Sequence, residues 1–196
     1  VEIAEIASTP TPSSGQDGTV IAIGGSALLM GGASIASVTL AGIEVKEIVS
    51  AADDEVIVVA DAHTEEAAGD IVMIADTGAT TTGGTFTYVA PGTIGAPSPD
   101  AGQHGTRVTF EGTGMLQGGE SIETVSLNDV DAHIVFGNDT LIIIDARVGD
   151  AGVGNVVVVA DTGAALSLED GWTFAQAGVI NSVVPTSGQT GTVVTI

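Results

Sequence analysis

The sequence predicts an all-β protein built from tandem two-layer β-sandwiches, and three observations carry that prediction. The phrase G-Q-x-G-T recurs from Gly15, Gly102 and Gly188, in steps of 87 and 86 residues. A step of that size exceeds the roughly 20 to 50 residues of a solenoid repeat and suits a small domain. The apolar residues are mostly Val, Ile and Ala, with four Phe, one Trp and one Tyr, and 28 glycines punctuate them. Short β-branched runs between Gly, Asp and Asn turns make strands rather than helices.

Laid over one another, the copies agree along most of their length. Residues 54–62 (DEVIVVADA) are matched with 138–146 (NDTLIIIDA), 69–79 (GDIVMIADTGA) with 154–164 (GNVVVVADTGA), and 85–92 (TFTYVAPG) with 171–178 (GWTFAQAG). The chain therefore divides into units at residues 1–91 and 94–177, with the opening strands of a third at 180–196. A slice of a longer array is the expected setting.

Each element follows from its period. After the G-Q-x-G-T turn come alternating strands at 19–23, 106–110 and 192–196, with Ile21/Ile23, Val108/Phe110 and Val194/Ile196 on one face and Arg107 on the other. Further strands are expected at 38–40 and 125–127, at 43–49 and 130–136, at 56–59 and 141–144, and at 71–74 and 156–159. The last pair, 86–89 and 172–174, carries Phe86, Tyr88, Trp172 and Phe174 toward the core. Six or seven short strands in under 90 residues form a two-sheet sandwich. The joins at 90–101 and 176–187 are short and contain Pro97, Pro99 and Pro185, so adjacent units are expected to meet at a defined angle.

The order of these motifs resembles the TIG/IPT immunoglobulin-like domain. The second copy carries it from Ile94 and Pro99 through Gly102-Gln103-x-Gly105-Thr106, Val125-x-Leu127 and Gly154-x-Val156-x-Val158 to Trp172-x-Phe174. The resemblance implies tandem immunoglobulin-like β-sandwiches and a place in a large surface or extracellular protein, where such arrays act as stalks or adhesion modules. Leu28/Leu29 and Met115/Leu116 stand where the family often has an aromatic residue, and the cysteines of many members are absent.

Charge narrows the setting. Twenty-five acidic residues oppose three Lys and Arg, giving a formal net charge of -22. Such a surface repels phosphate backbones, which argues against nucleic acid as a partner, and it suits high salt, where screening weakens self-repulsion. With no cysteine, neither disulfides nor thiol chemistry are expected. No run approaches the roughly 18 apolar residues of a membrane-spanning helix.

The residue patterns point away from catalysis, and no catalytic, cofactor-binding or metal-ligating residue is assigned. His63, His104 and His133 fall at non-equivalent places, with His63 matched to Arg147 and His133 to Lys46. The Gly-rich pieces form neither a dinucleotide fingerprint nor a Walker loop, and no G-x-S-x-G elbow occurs. Calcium is the metal that the carboxylates would suit, at Asp53-Asp54-Glu55, at Glu65-Glu66 with Asp70, or at Asn128-Asp129 with Asp131. These clusters do not recur between units and lack a known calcium-loop spacing, so solvated turns are the expected reading. Asp61/Asp145 and Asp76/Asp161 do recur, each after an apolar strand, where such residues bond a turn backbone. Asn138-Asp139-Thr140 satisfies the N-glycosylation rule with an unfavourable Asp in the middle, and 8–14 and 80–85 are Ser/Thr-rich segments of the type that carries O-linked sugars, though a linker and a hairpin loop are the expected reading of those two.

The expected function is therefore that of a non-enzymatic structural repeat of an extracellular stalk, fibre or adhesin. The runs 56–59, 71–74, 141–144 and 156–159 are apolar throughout, so half of each must face outward. Other copies of the same chain, associating over those faces into a filament, are the expected partner. Glycans or surface proteins are the alternative partners, with an accessory role beside an enzyme as a further reading.

Overall fold

The computed structural model describes residues 3–7 and 9–196, and all its regular elements are strands. Ser8, the first residue of the Ser/Thr/Pro segment, lies outside the described residues. The first unit contains β1 (Glu5–Ile6), β2 (Ser14–Gly15), β3 (Val20–Ser26), β4 (Ile35–Leu40), β5 (Ile43–Glu44), β6 (Glu47–Ala51), β7 (Glu55–Val59), β8 (Ala67–Ala75) and β9 (Thr80–Tyr88). A four-stranded sheet in the order β1-β3-β7-β6 packs on a five-stranded sheet in the order β2-β9-β8-β4-β5.

The second unit repeats both orders. Its strands are β10 (Thr93–Ile94), β11 (Ala101–Gly102), β12 (Arg107–Thr113), β13 (Ile122–Leu127), β14 (Val130–Asp131), β15 (His133–Gly137), β16 (Leu141–Asp145), β17 (Gly152–Ala160) and β18 (Ala165–Phe174). They pair as β10-β12-β16-β15 and β11-β18-β17-β13-β14. Neighbours are antiparallel, except that β2 runs parallel to β9 and β11 parallel to β18.

Alternation builds each core. Ile21, Ile23, Val56 and Val58 come from one sheet and Val38, Leu40, Ile71, Met73, Phe86 and Tyr88 from the other. Val108, Phe110, Ile142, Ile144, Val125, Leu127, Val156, Val158, Trp172 and Phe174 do the same in the second unit. Phe86 meets Tyr88 edge to face at 5.1 Å between ring centroids, and Trp172 meets Phe174 likewise at 5.7 Å.

The recurrent phrase is a turn whose residues lock one another. Gln16 N donates to Thr19 Oγ1 at 2.9 Å, Gln103 N to Thr106 Oγ1 at 3.0 Å, and Gln189 N to Thr192 Oγ1 at 2.9 Å. The second glycine of each phrase sits at φ +86, +83 and +91°, a left-handed backbone that glycine adopts without strain. In the first unit Gln16 is buried, and its side chain bonds His63 N and O, Val89 O and Asp17 N.

Three sequence expectations are corrected. The strand expected over 43–49 is two strands in different sheets, β5 and β6, because the chain crosses the sandwich at Val45–Lys46; β14 and β15 divide in the same way around Ala132. The matching of 54–62 with 138–146 is two residues out of register. Val20 pairs with Val59 and Arg107 with Asp145, so Val59 rather than Asp61 is the counterpart of Asp145. By the same ladders Glu47, not Lys46, stands opposite Val59 as His133 stands opposite Asp145.

The third copy keeps only its turn. Val184 and Thr195 exchange main-chain bonds of 2.9 and 2.8 Å, while Val194 and Ile196 remain exposed. The strand expected at 192–196 is a single bridge, Val184 with Thr195.

Candidate functional site at the ends of the units

The candidate carboxylates divide by what they hold. Asp53 Oδ1 accepts Leu29 N at 3.2 Å, and its counterpart Asp139 accepts Leu116 N at 3.0 Å. Asp76 accepts Ala33 N and the Ser34 hydroxyl, and Asp161 repeats this with Glu120 N and the Ser121 hydroxyl. Each unit therefore fixes the segment after its first long strand with two aspartates. Asp54, Glu55, Glu65, Glu66 and Asp70 are exposed. Asn128 and Asp129 form the left-handed two-residue turn between β13 and β14, as Ala41 and Gly42 do between β4 and β5. Among the described residues no three His, Asp or Glu side chains gather in a way that could hold a metal ion.

The histidines part company. His63 is half-buried in the first unit, with its ring 5.3 Å from that of Tyr88. The buried Tyr88 hydroxyl is pushed up to about 12 by desolvation, with Asp61 and Asp17 adding to the shift. His104 and His133 come together at the far end of the second unit, in an open groove of about 930 Å³ with Asp129, Asp131, Asp145 and Arg147. There Arg107 holds Asp145 by two hydrogen bonds of 2.9 and 3.0 Å, and His133 Nδ1 lies 4.0 Å from the same carboxylate. The bonds from Arg107 hold the Asp145 carboxyl below the ordinary carboxylate range. Two of the chain's three Lys and Arg residues thus lie at this end. Sequence spacing hides the groove because its walls come from three separate segments of the chain, 104–105, 129–133 and 145–148.

The other end of the second unit is occupied. Val20 N donates to Thr162 O at 2.9 Å, and Ala165 N donates to Asp17 O at 3.1 Å. These bonds seat the first unit's G-Q-x-G-T turn on the β17–β18 hairpin turn of the second. A Cβ on Gly18 would lie 2.8 Å from Gly163 O, and one on Gly163 would lie 2.9 Å from Gly18 O. Gly118 adds a third close approach, its Cβ position being 3.2 Å from Gly15 Cα. Beside this junction a cleft of about 700 Å³ opens between residues 10–14 of the first unit and Glu120, Glu123 and Asp161 of the second.

With the strand order and junction in view, residues 6–88 match the family model of the IPT/TIG domain. The first unit is an IPT/TIG domain. The second repeats its sheets pairing by pairing. Among solved structures, the extracellular region of plexin A4 aligns with TM-score 0.56 and 18% identity, over 94% of this chain and 17% of that one. A second structure of that region gives TM-score 0.51 and 18% identity, over 89% and 18%. The chain thus spans about a sixth of the plexin chain it matches, and the likeness is one of fold. No curated protein matches it in sequence.

Proposed function

We propose that the chain is a non-enzymatic spacer, a run of IPT/TIG units from an extracellular or cell-surface stalk, fibre or adhesin whose copies associate into a filament. The junction carries this reading. Its two bonds are made by main-chain atoms and its close approaches by glycines, so the angle between units is set by the recurring turns rather than by individual side chains. Small-angle X-ray scattering tests it: one extended particle, with a single separation between the two units at low and high salt, is the expected result. A broad spread of separations would sink the spacer reading.

Lateral association draws support from the outward halves of the apolar runs. Val72 and Ile74 stand between Ser and Thr of the flanking strands, and Val157 stands between Ser126 and Ser167. That leaves the outer face of β15 and β16 as the stronger candidate, with Leu141, Ile143 and the nearly half-exposed Phe136. Phe136→Asp is expected to disperse any assembly seen by sedimentation at high concentration and high salt. A wild-type chain that stays monomeric there would count against the filament.

A second reading, a glycan- or protein-binding module or an accessory domain of a larger enzyme, is favoured by the groove around His104 and His133. NMR titration with oligosaccharides distinguishes it: shifts confined to that groove support binding.

A further inference from the structure

The turn between β15 and β16 carries two features that its copy in the first unit lacks. Asn138 N donates to Leu141 O at 2.9 Å, as Ala52 N donates to Glu55 O at 2.8 Å, so Phe136, Asn138 and Thr140 stand where Ser50, Ala52 and Asp54 stand. An aromatic ring and the chain's one N-x-S/T sequon thus occur together in a single turn. That turn is fastened to residues 115–116, beside the Gly118 that approaches Gly15, and Asn138, Asp139 and Thr140 are exposed with the first unit in place. The Asn138 carboxamide is held by its oxygen alone. Oδ1 accepts Thr140 N at 2.9 Å, Leu141 N at 2.8 Å and the Thr140 hydroxyl at 3.3 Å, and among the described residues Nδ2 has no partner. An acidic middle residue disfavours sugar transfer, but the Asp139 carboxylate is engaged elsewhere, accepting Leu116 N at 3.0 Å. Phe136 pairs with Ile143, and the buried Ile142 and Ile144 put that pair on the outer face; Asn138, opposite Leu141, shares that face. Phe136 is 46% exposed and lies about 7 Å along the strand from Asn138.

We propose that Asn138 is an N-glycosylation site and that the first sugar, an N-acetylhexosamine, lies over the Phe136 ring. The donor is an oligosaccharide carried on a polyprenyl pyrophosphate. A bond forms between the anomeric carbon and Asn138 Nδ2, the bond from that carbon to the pyrophosphate oxygen breaks, and the pyrophosphate leaves with the electron pair while Nδ2 gives up one proton to solvent. The turn prepares this step by fixing the amide plane with its nitrogen free and the sequon hydroxyl beside it. The apolar face of the sugar then covers aromatic carbon that is otherwise open to water. The proposal rests on the extracellular reading, since such donors are used on the far side of a membrane. A sugar over Phe136 also excludes a second copy from the face proposed for lateral association, so the unmodified chain is the associating form.

The test incubates the folded chain with a purified single-subunit oligosaccharyltransferase and polyprenyl-pyrophosphate-linked chitobiose, with the enzyme checked on a reference acceptor peptide. Peptide mapping by mass spectrometry is expected to find the sugar on Asn138. Asn138→Asp, which keeps the oxygen that closes the turn and removes the nitrogen, is the control that takes none. The sugar should raise the second unit's urea midpoint, followed by Trp172 fluorescence, by about half a molar, and Phe136→Ser should remove that gain while leaving Asn138 modified. A folded chain that stays bare while the reference peptide is fully modified overturns the site. A gain in midpoint that survives Phe136→Ser overturns the placing of the sugar. Either failure leaves the extracellular spacer standing, because that reading is decided by the separation of the two units in scattering.

Discussion

Replacing Phe86 with alanine probes whether the two cores fold as separate bodies. Phe86 is fully buried and meets Tyr88 edge to face in the first unit's core. Burying a phenylalanine removes roughly 150 to 200 Å² from water, worth about 4 to 5 kcal/mol at ~25 cal/mol per Å². Phe→Ala changes in cores cost about 3 to 5 kcal/mol, so ~4 kcal/mol is the expected loss. A unit of this size has roughly 4 to 13 kcal/mol to lose. With a urea slope near 1.2 kcal/mol per M, the first unit's midpoint should fall by about 3 M. The single Trp, Trp172, sits in the second unit's core, so its fluorescence follows that unit while far-UV circular dichroism follows both. The expected outcome is a dichroism curve that splits in two, with the fluorescence midpoint nearly unmoved. A fluorescence midpoint that falls together with the dichroism would show one cooperative body and refute the two-core argument.

Gln16→Ala removes a buried amide that bonds four main-chain groups and should cost about 2 to 3 kcal/mol. The same change at the exposed Gln103, whose amide donates to Gln176 O at 2.7 Å, should cost well under half as much in parallel urea titrations. Asp161→Ala frees Glu120 N and the Ser121 hydroxyl and should lower the second unit's stability by about 1 to 2 kcal/mol, read by Trp172 fluorescence. The single tyrosine should ionise at about 12 in an ultraviolet titration. Since its folded value is raised, the first unit keeps that contribution below about pH 10 and loses it as pH climbs toward 12. Asp145 shifts the opposite way, so the advantage of wild type over Asp145→Asn should be full above the ordinary carboxylate range and fade as pH falls through the lowered value.

What could be read from the residues was whatever a period of two or a short turn encodes. Phe86, Tyr88, Trp172 and Phe174 alternate inward on the last strand of each unit as the pattern implied. The same period explains the misplaced register. VIVV and LIII look alike when slid by two residues, and the Asp-Ala pairs at 61–62 and 145–146 drew the match to the wrong step, which only the ladders correct. The break between β5 and β6 escaped because Val45–Lys46 crosses from sheet to sheet without Gly or Pro. β2 and β11 escaped because a two-residue edge strand has no period to show. The aspartates at 76 and 161 were recognisable by recurrence, whereas the shared part of Asp53 and Asp139 was hidden inside clusters that seemed unrelated. His104 and His133 gave no hint of a common groove, being 29 residues apart, one in a turn and the other at the start of β15.

The parallel edge pairs decide how each unit answers a pull. After the short β1 the chain passes into β2, β9 leaves the fold, and β2 and β9 lie side by side in the same direction, tied by Thr87 N to Ser13 O at 3.0 Å and Val89 N to Gly15 O at 3.1 Å. In the second unit Thr173 N bonds Asp100 O at 3.1 Å and Ala175 N bonds Gly102 O at 2.8 Å. Tension applied along the chain drags these two strands in opposite senses along their common axis. The bonds between them are then sheared together, whereas an antiparallel hairpin pulled from its open end would unzip one bond at a time. Each unit thus meets load with its bonds in concert, and a string of such units lengthens in discrete steps, one sandwich yielding while its neighbours hold.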